Sequence, residues 1–148
     1  MKTFNVYLST IFLHNSELWS LTEKMCKSID SFQRRTLRTL VFNVKYPVIM
    51  SNNAVYEKSK QIPWSKIINV RRLRFLGHIC RLNERTPIRI SLKYAMDKYK
   101  KKVGRPKTTW LKIVEEQLNE LNVKLEDIFK TANDREKWRQ LINTCYRI

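Results

Sequence analysis

Apolar side chains recur three or four positions apart along most of this chain, which is the spacing of amphipathic helices. Only two of the 148 residues are glycine and four are proline, so few positions interrupt the pattern. The clearest segments are 4–13, 22–42, 63–82, 108–121 and 133–145, with shorter ones near 52–60 and 86–95. We therefore predict an all-α fold, an irregular bundle of six or seven helices with a basic linker and little or no sheet.

Residues that favour helix starts precede several of these segments. Ser20 with Glu23 forms a capping-box pattern, and Pro63 suits the first turn of a helix because it lacks an N–H. Gly77 lies inside the predicted helix 63–82, which indicates either a neighbour that packs closely there or a bend. Further predicted caps are Ser51 or Asn52, Thr86 before Pro87, Thr108 or Thr109, and Asn133 or Asp134.

Positive charge is concentrated in the middle of the chain. The formal net charge is +17, from 30 Lys or Arg against 13 Asp or Glu. Residues 64–107 hold 14 of the basic residues and only 2 acidic ones, whereas residues 108–148 hold seven of each. A charge surplus of this size repels itself unless an anion is near, so a polyanion such as RNA or DNA is the expected partner.

Two groups of residues carry this central charge. The predicted helix 63–82 holds Arg71, Arg72, Arg74 and Arg81, and guanidinium groups match the geometry of phosphates. The segment 97–107 lacks helical spacing and contains the Gly-Arg-Pro sequence seen in arms that insert into the DNA minor groove. Its predicted contact residues are Lys100, Lys101, Lys102, Gly104, Arg105, Pro106 and Lys107.

The way in which this basic region contacts nucleic acid stays open between two readings. The short helix 52–60, the turn 61–63 and the basic helix have the proportions of a helix-turn-helix, which would allow base reading. Plain contact with backbone phosphates needs no such geometry. Tryptophan side chains that fall at helix starts or on apolar faces are predicted to anchor the core rather than to stack on bases: Trp19, Trp64, Trp110 and Trp138.

The sequence argues against an enzyme, a metalloprotein or a membrane protein. Adjacent acidic pairs such as Glu115 and Glu116 point about 100° apart on a helix, so they do not converge on one metal ion. The three Cys and two His are scattered, which fits neither a zinc site nor a disulfide framework. No window approaches the roughly 20 apolar residues that span a bilayer. We expect a reduced, intracellular protein without metal or cofactor and without a membrane.

Several blocks of the sequence, taken in order, resemble the C-terminal region of non-LTR (LINE-type) retrotransposon reverse transcriptases. The resemblance covers nearly the whole chain, and the third and fifth blocks together are its most specific part. The blocks are SELWSLT at 16–22, FQRR at 32–35, RRLRFLGHI at 71–79, GRPKTTW at 104–110 and DREKWR at 134–139.

The resemblance implies a role in binding template RNA or target DNA, and it implies no catalysis. Residues 2–19 would correspond to the end of the polymerase thumb and the rest to a helical C-terminal region. The family's fingers, its palm with paired aspartates and its endonuclease have no counterpart in this sequence, so we expect a truncated or remnant copy. The family blocks add His78 to the contact residues and match Arg71, Arg72, Arg74, Gly104, Arg105, Pro106 and Lys107.

These observations combine into one expected organisation and function. The parts are a thumb-end and basic helical region 1–96, a basic linker 97–107 and a C-terminal helical hairpin 108–148. The expected partners are RNA or DNA backbone and the remainder of a reverse transcriptase, in the nucleus. The alternatives are a protein interaction or oligomerisation module, built from the first helix and the helices after Thr108, or a remnant without function. Preference for RNA or DNA and the oligomeric state stay open.

Overall fold

The computed structural model of the chain describes residues 4–45, 47–97 and 108–146. These residues form helices, turns and irregular segments, with no strand among them, which confirms the all-α prediction. The α-helices are α1 (Thr10–Phe12), α2 (Glu23–Thr36), α3 (Asn52–Ser59), α4 (Trp64–Arg81), α5 (Pro87–Asp97), α6 (Trp110–Glu120), α7 (Ile128–Thr131) and α8 (Arg135–Tyr146). A π-helical turn Phe4–Ser9 precedes α1, and a second one, Leu37–Val41, follows α2. Two 3-10 turns lie at Ser16–Leu18 and at Leu125–Asp127, just before α7. Within the described ranges, no helix combines the length and apolarity needed to cross a membrane.

Side-chain caps begin four of these helices, as the local sequence predicts in three cases. Ser51 Oγ accepts the Ala54 N–H at 3.2 Å, and Thr109 Oγ1 accepts the Lys112 N–H at 3.3 Å. Asp134 Oδ1 accepts the N–H groups of Glu136 at 3.0 Å and Lys137 at 3.1 Å. The capping-box prediction at Ser20 is wrong, because Thr22 is the residue whose side chain accepts the Met25 N–H.

Two compact units divide the chain, and the first comprises residues 1–16 and 21–68. An aromatic cluster forms its centre: Trp64 is fully buried, with ring centroids 4.6 Å from Phe12 and 5.8 Å from Phe4. Phe32 stacks on Phe12 with its centroid at 5.3 Å. These rings place the first turn of α4 against the N-terminal helix and α2.

Polar side chains of α2 take up the unpaired N–H groups at the start of α4. Gln33 is fully buried, and its Oε1 accepts the Trp64 N–H at 2.9 Å. Asp30 accepts both the Ser65 N–H at 2.9 Å and the Ser65 hydroxyl at 2.6 Å. The negative charge of Asp30 also complements the positive end of the α4 dipole.

The second unit comprises residues 17–20 and 69–148 and holds the larger hydrophobic core. Apolar faces of α4 to α8 meet in this core, including Leu73, Leu76, Leu92, Val114, Leu118, Ile128, Trp138 and Ile142. The 17–20 segment is held to it by the Trp110 indole N–H, which donates to Glu17 O at 2.8 Å. Trp64 and Trp138 are thus confirmed as core anchors, at 0% and 2% exposure, while Trp19 and Trp110 are half-buried.

The units are divided differently from the predicted parts. The division falls inside α4, between Ile68 and Asn69, and α5 shares one core with α6 to α8. The reason is that Leu92 of α5 is buried in that core together with the C-terminal helices. The predicted linker, apart from Asp97 at the end of α5, lies outside the described residues.

Two details of the apolar pattern are also corrected. Met25, Phe32 and Leu40 lie on the apolar face expected from the spacing in the predicted helix 22–42, but their exposed fractions are 51%, 46% and 70%. Gln33 of α2 is buried instead, because its amide satisfies the start of α4. Cys145 ends the apolar spacing of the predicted helix 133–145, but it is exposed.

Candidate nucleic-acid interface

The close approach of α8 to α4 occurs at Gly77. A Cβ atom at this position would lie within 2.5 Å of Trp138 Cδ1 and closer still to its indole nitrogen, so only glycine leaves room for the ring. The indole N–H donates to Leu73 O at 3.0 Å. Of the two possibilities that the sequence raised for Gly77, a closely packed neighbour is the correct one. This contact places a basic face of α4 beside a basic face of α8.

An open cleft of about 350 Å³ lies between these faces, entirely within the second unit. We call it the arginine cleft, and its lining residues are Arg74, His78 and Arg81 of α4 and Arg135, Trp138 and Arg139 of α8. Positions 74, 78 and 81 share one face of α4, since they are separated by four and three residues, and 135 and 139 share one face of α8. None of these lining residues is acidic.

The side chains of α4 are held at the cleft by neutral partners. Arg81 Nη1 donates to Ala132 O at 2.7 Å, and Arg74 Nη2 donates to Asn143 Oδ1 at 3.3 Å. Each guanidinium has five N–H groups, so these single bonds position the fork and leave donors for an anion. His78 is exposed and adds one or two ring donors, depending on its protonation state.

The two arginines of α8 that line the cleft are exposed. Arg135 makes no ion pair or side-chain hydrogen bond within the described part of the chain. Arg139 Nη1 lies 3.7 Å from Glu136 Oε1, with both side chains more than half exposed, so this ion pair is weak and easily exchanged for a phosphate. The Asp134 carboxylate caps the N-terminus of α8. The pKa of Asp134 is lowered chiefly because the carboxylate accepts the Lys137 N–H.

The structure separates the predicted contact residues of the basic helix into two groups. Arg74, His78 and Arg81 line the arginine cleft. Arg71 is half-buried, and Arg72 is 1% exposed, with its Nη2 donating to Trp19 O at 2.8 Å and its Nη1 to Asn69 Oδ1 at 3.2 Å. Arg72 as a phosphate contact is therefore a prediction that this structure does not support, because its guanidinium is used inside the second unit.

The predicted contacts of the linker lie outside the described residues: Lys100, Lys101, Lys102, Gly104, Arg105, Pro106 and Lys107. Conversely, Arg135 and Arg139 belong to the cleft and were missed. Counting charge by region concealed them, because residues 108–148 are neutral as a whole. Charge counted by helix face would have placed Arg135 and Arg139 one turn apart on the same face of α8.

The described residues offer little for other chemistry. They contain no group of three or more His, Cys, Asp or Glu placed to hold a metal ion. Burial raises the pKa of the Cys80 thiol to about 11, which keeps it protonated near neutral pH and unsuited to act as a nucleophile. Compared with protein-family models, curated proteins and solved structures, the chain matches none of them.

Proposed function

We propose that this chain is a non-catalytic nucleic-acid-binding protein that contacts the phosphates of RNA or DNA through the basic region 64–107 and the arginine cleft. The observation that carries the proposal is the cleft itself, which gathers four guanidinium groups and an imidazole without an acidic lining residue. Proteins seldom assemble cations in this way for stability alone, since like charges at close range repel. A bound polyanion removes that repulsion.

The cleft favours phosphate over base recognition. Guanidinium groups pair with phosphate oxygens through two parallel hydrogen bonds. The only aromatic ring of the lining, apart from His78, is Trp138, which is 2% exposed and donates its N–H to Leu73 O. It therefore offers no free face for base stacking, and binding through the cleft depends on phosphate charge.

We further propose that the chain derives from the C-terminal region of a non-LTR retrotransposon reverse transcriptase and acts in the nucleus. Support comes from where the resembling blocks lie. The two most specific blocks, 71–79 and 134–139, are distant in sequence. Together they supply five of the six lining residues of the cleft, and the sixth is Arg81. Sequence blocks that build one site together are expected of a retained binding surface.

The test is fluorescence anisotropy of the full chain with labelled single-stranded RNA, single-stranded DNA and duplex DNA over a range of salt. If about six phosphates of duplex DNA are neutralised, the log–log slope of affinity against salt is about −5. The double variant Arg135→Glu/Arg139→Glu should weaken binding and flatten the slope. The variant Lys124→Glu/Lys130→Glu is the matched control, because it changes the net charge equally at exposed lysines outside the cleft.

Two results would contradict the proposal. One is the absence of salt-sensitive binding to any of the nucleic acids. The other is an equal loss of affinity in both double variants, which would show that net charge rather than the cleft determines binding. Circular dichroism of each variant checks that the helices are retained.

A second candidate, an interaction module, is supported at the first helix, which consists of the π-helical turn Phe4–Ser9 and α1. Val6, Tyr7 and Ile11 are 62%, 62% and 74% exposed, so this helix presents apolar surface to solvent. The helices after Thr108 instead bury their apolar faces in the core of the second unit. Light scattering tests this candidate, since a monomer at all concentrations argues against it.

A further inference from the structure

We infer that the arginine cleft receives the terminal phosphomonoester of a nucleic-acid strand in preference to phosphodiesters along the strand. The inference rests on the proposed function and specifies the group that the cleft recognises. It follows from three properties of the cleft: its charge, its length and the way its guanidinium groups are held.

The charge of the cleft exceeds what one phosphodiester neutralises. Arg74, Arg81, Arg135 and Arg139 bring four positive charges to a space of about 350 Å³, and the exposed Glu136 carboxylate, 3.7 Å from Arg139, offsets at most one of them. A phosphodiester carries one negative charge, whereas a phosphomonoester carries about 1.5 to 2 at pH 7 and exposes three strong acceptor oxygens. The terminal group therefore pairs with more of the available donors and leaves less charge unneutralised.

The length of the cleft matches a single group better than a strand. At a rise of 1.5 Å per residue, the row from Arg74 to Arg81 extends about 10 Å and the row from Arg135 to Arg139 about 6 Å. Surfaces that follow a single-stranded backbone accommodate roughly 4 to 16 nucleotides. Two short, opposed rows instead surround one anion from two sides.

Two of the four guanidinium groups are held in place before an anion binds. Arg74 and Arg81 are fixed on the α4 side by Asn143 Oδ1 and Ala132 O, both uncharged, so their full charge is directed to the cleft. Arg135, on the α8 side, has no partner among the described residues that a bound anion would have to displace. Donors positioned beforehand lower the ordering cost of binding a compact anion.

The experiment compares three single-stranded DNAs of one sequence, about 12 nucleotides long. They carry a 5′-phosphate, a 3′-phosphate or hydroxyls at both ends, and each is labelled on an internal base. Anisotropy with the full chain should show about tenfold tighter binding for at least one phosphorylated form than for the hydroxyl form. Inorganic phosphate added to the better complex should remove this advantage while leaving the weaker binding of the hydroxyl form.

The variants assign the advantage to the cleft. Arg135→Glu/Arg139→Glu should reduce it to less than about twofold, and Lys124→Glu/Lys130→Glu should preserve it. Equal affinity of the three DNAs for the unmodified chain overturns the inference and leaves the proposed function standing. An advantage that persists in Arg135→Glu/Arg139→Glu also overturns it. Failure of all three DNAs to bind overturns the inference, and failure of RNA and duplex DNA to bind as well overturns the proposed function itself.

Discussion

At the residue scale, Gly77 determines how closely α8 packs on α4. Replacement by alanine improves intrinsic helix propensity by about 1 kcal/mol. However, the new methyl group collides with the Trp138 ring, and overpacking of this kind costs about 1 to 3 kcal/mol. The ring displacement also lengthens the bond from the indole N–H to Leu73 O. We expect Gly77→Ala to lower the free energy of unfolding in urea titrations, and a gain in stability would show that the ring has space to move.

Arg72 and Arg74 are close in sequence but have opposite roles. Arg72→Met removes hydrogen bonds to Trp19 O and Asn69 Oδ1 from a side chain that is 1% exposed, which should cost about 1 to 3 kcal/mol of stability. Arg74→Ala removes an exposed side chain and should change stability by less than about 0.5 kcal/mol. Urea denaturation measures the stability of the two variants, and DNA titration measures their affinity. The folded Arg72→Met variant should bind DNA as tightly as the unmodified chain, whereas Arg74→Ala should bind DNA more weakly. The reverse pattern would contradict the assignment of Arg72 to the interior.

Cys80 links stability to alkaline pH. Burial raises the pKa of its thiol from 9.0 to about 11, so the folded chain holds this proton more tightly than the unfolded chain does. The stabilising contribution is complete below the unfolded pKa of 9.0 and is lost as the pH rises through about 11. Cys80→Ala should therefore lose less stability than the unmodified chain over that interval, as measured by urea titration. Burial also raises the pKa of Tyr146, but this residue is present in both proteins and affects them equally. If the two proteins lose stability in parallel as the pH rises, the role of Cys80 is contradicted.

At the scale of helices, α6 depends on its cap. Thr109 Oγ1 accepts the Lys112 N–H, and removal of such a cap costs about 1 kcal/mol. Thr109→Ala should therefore destabilise the second unit by about that amount in thermal or urea unfolding. Thr108→Ala is the control, because the exposed Thr108 precedes the cap, and its effect should stay below about 0.5 kcal/mol. Equal effects would show that the cap contributes nothing specific.

The helices also show which features the sequence could predict. Caps such as Ser51, Thr109 and Asp134 were predictable because each bonds to a backbone group two or three residues away. The burial of Gln33 was not, since it depends on the unpaired N–H of Trp64 in another helix. For the same reason, Gly77 left a close neighbour and a bend both open, and only the packing of α8 identifies Trp138 as the neighbour.

The site was predictable only on its α4 side. Arg74, His78 and Arg81 belong to a basic helix that stands out in any charge count, whereas Arg135 and Arg139 lie among acidic residues in a neutral region. Which charges of α8 face the cleft depends on the rotation of that helix, and the Trp138 contact at Gly77 fixes this rotation. Long-range packing therefore determined the half of the site that the sequence did not reveal.

At the scale of the whole chain, the charge surplus should make stability rise with salt. Thirty basic residues oppose 13 acidic ones, and every ion pair of the described residues uses a carboxylate side chain that is 46% to 82% exposed. Exposed pairs contribute about 0 to 1 kcal/mol each, so screening them costs little. Screening the general repulsion gains more, because the Debye length falls from roughly 10 Å at 0.1 M to about 3 Å at 1 M. We expect the melting temperature to increase from low to high sodium chloride.

The control for this salt effect is a chain with less charge and the same core. Lys124→Glu/Lys130→Glu lowers the formal net charge from +17 by four at exposed positions, so its melting temperature should respond less to salt. A melting temperature that falls with salt would mean that attractive pairs outweigh repulsion, in which case the surplus would not need an anion. If the melting temperature rises with salt, a short oligonucleotide should give the same stabilisation at far lower concentration than sodium chloride. The reason is that one oligonucleotide brings many negative charges to the basic surface at once.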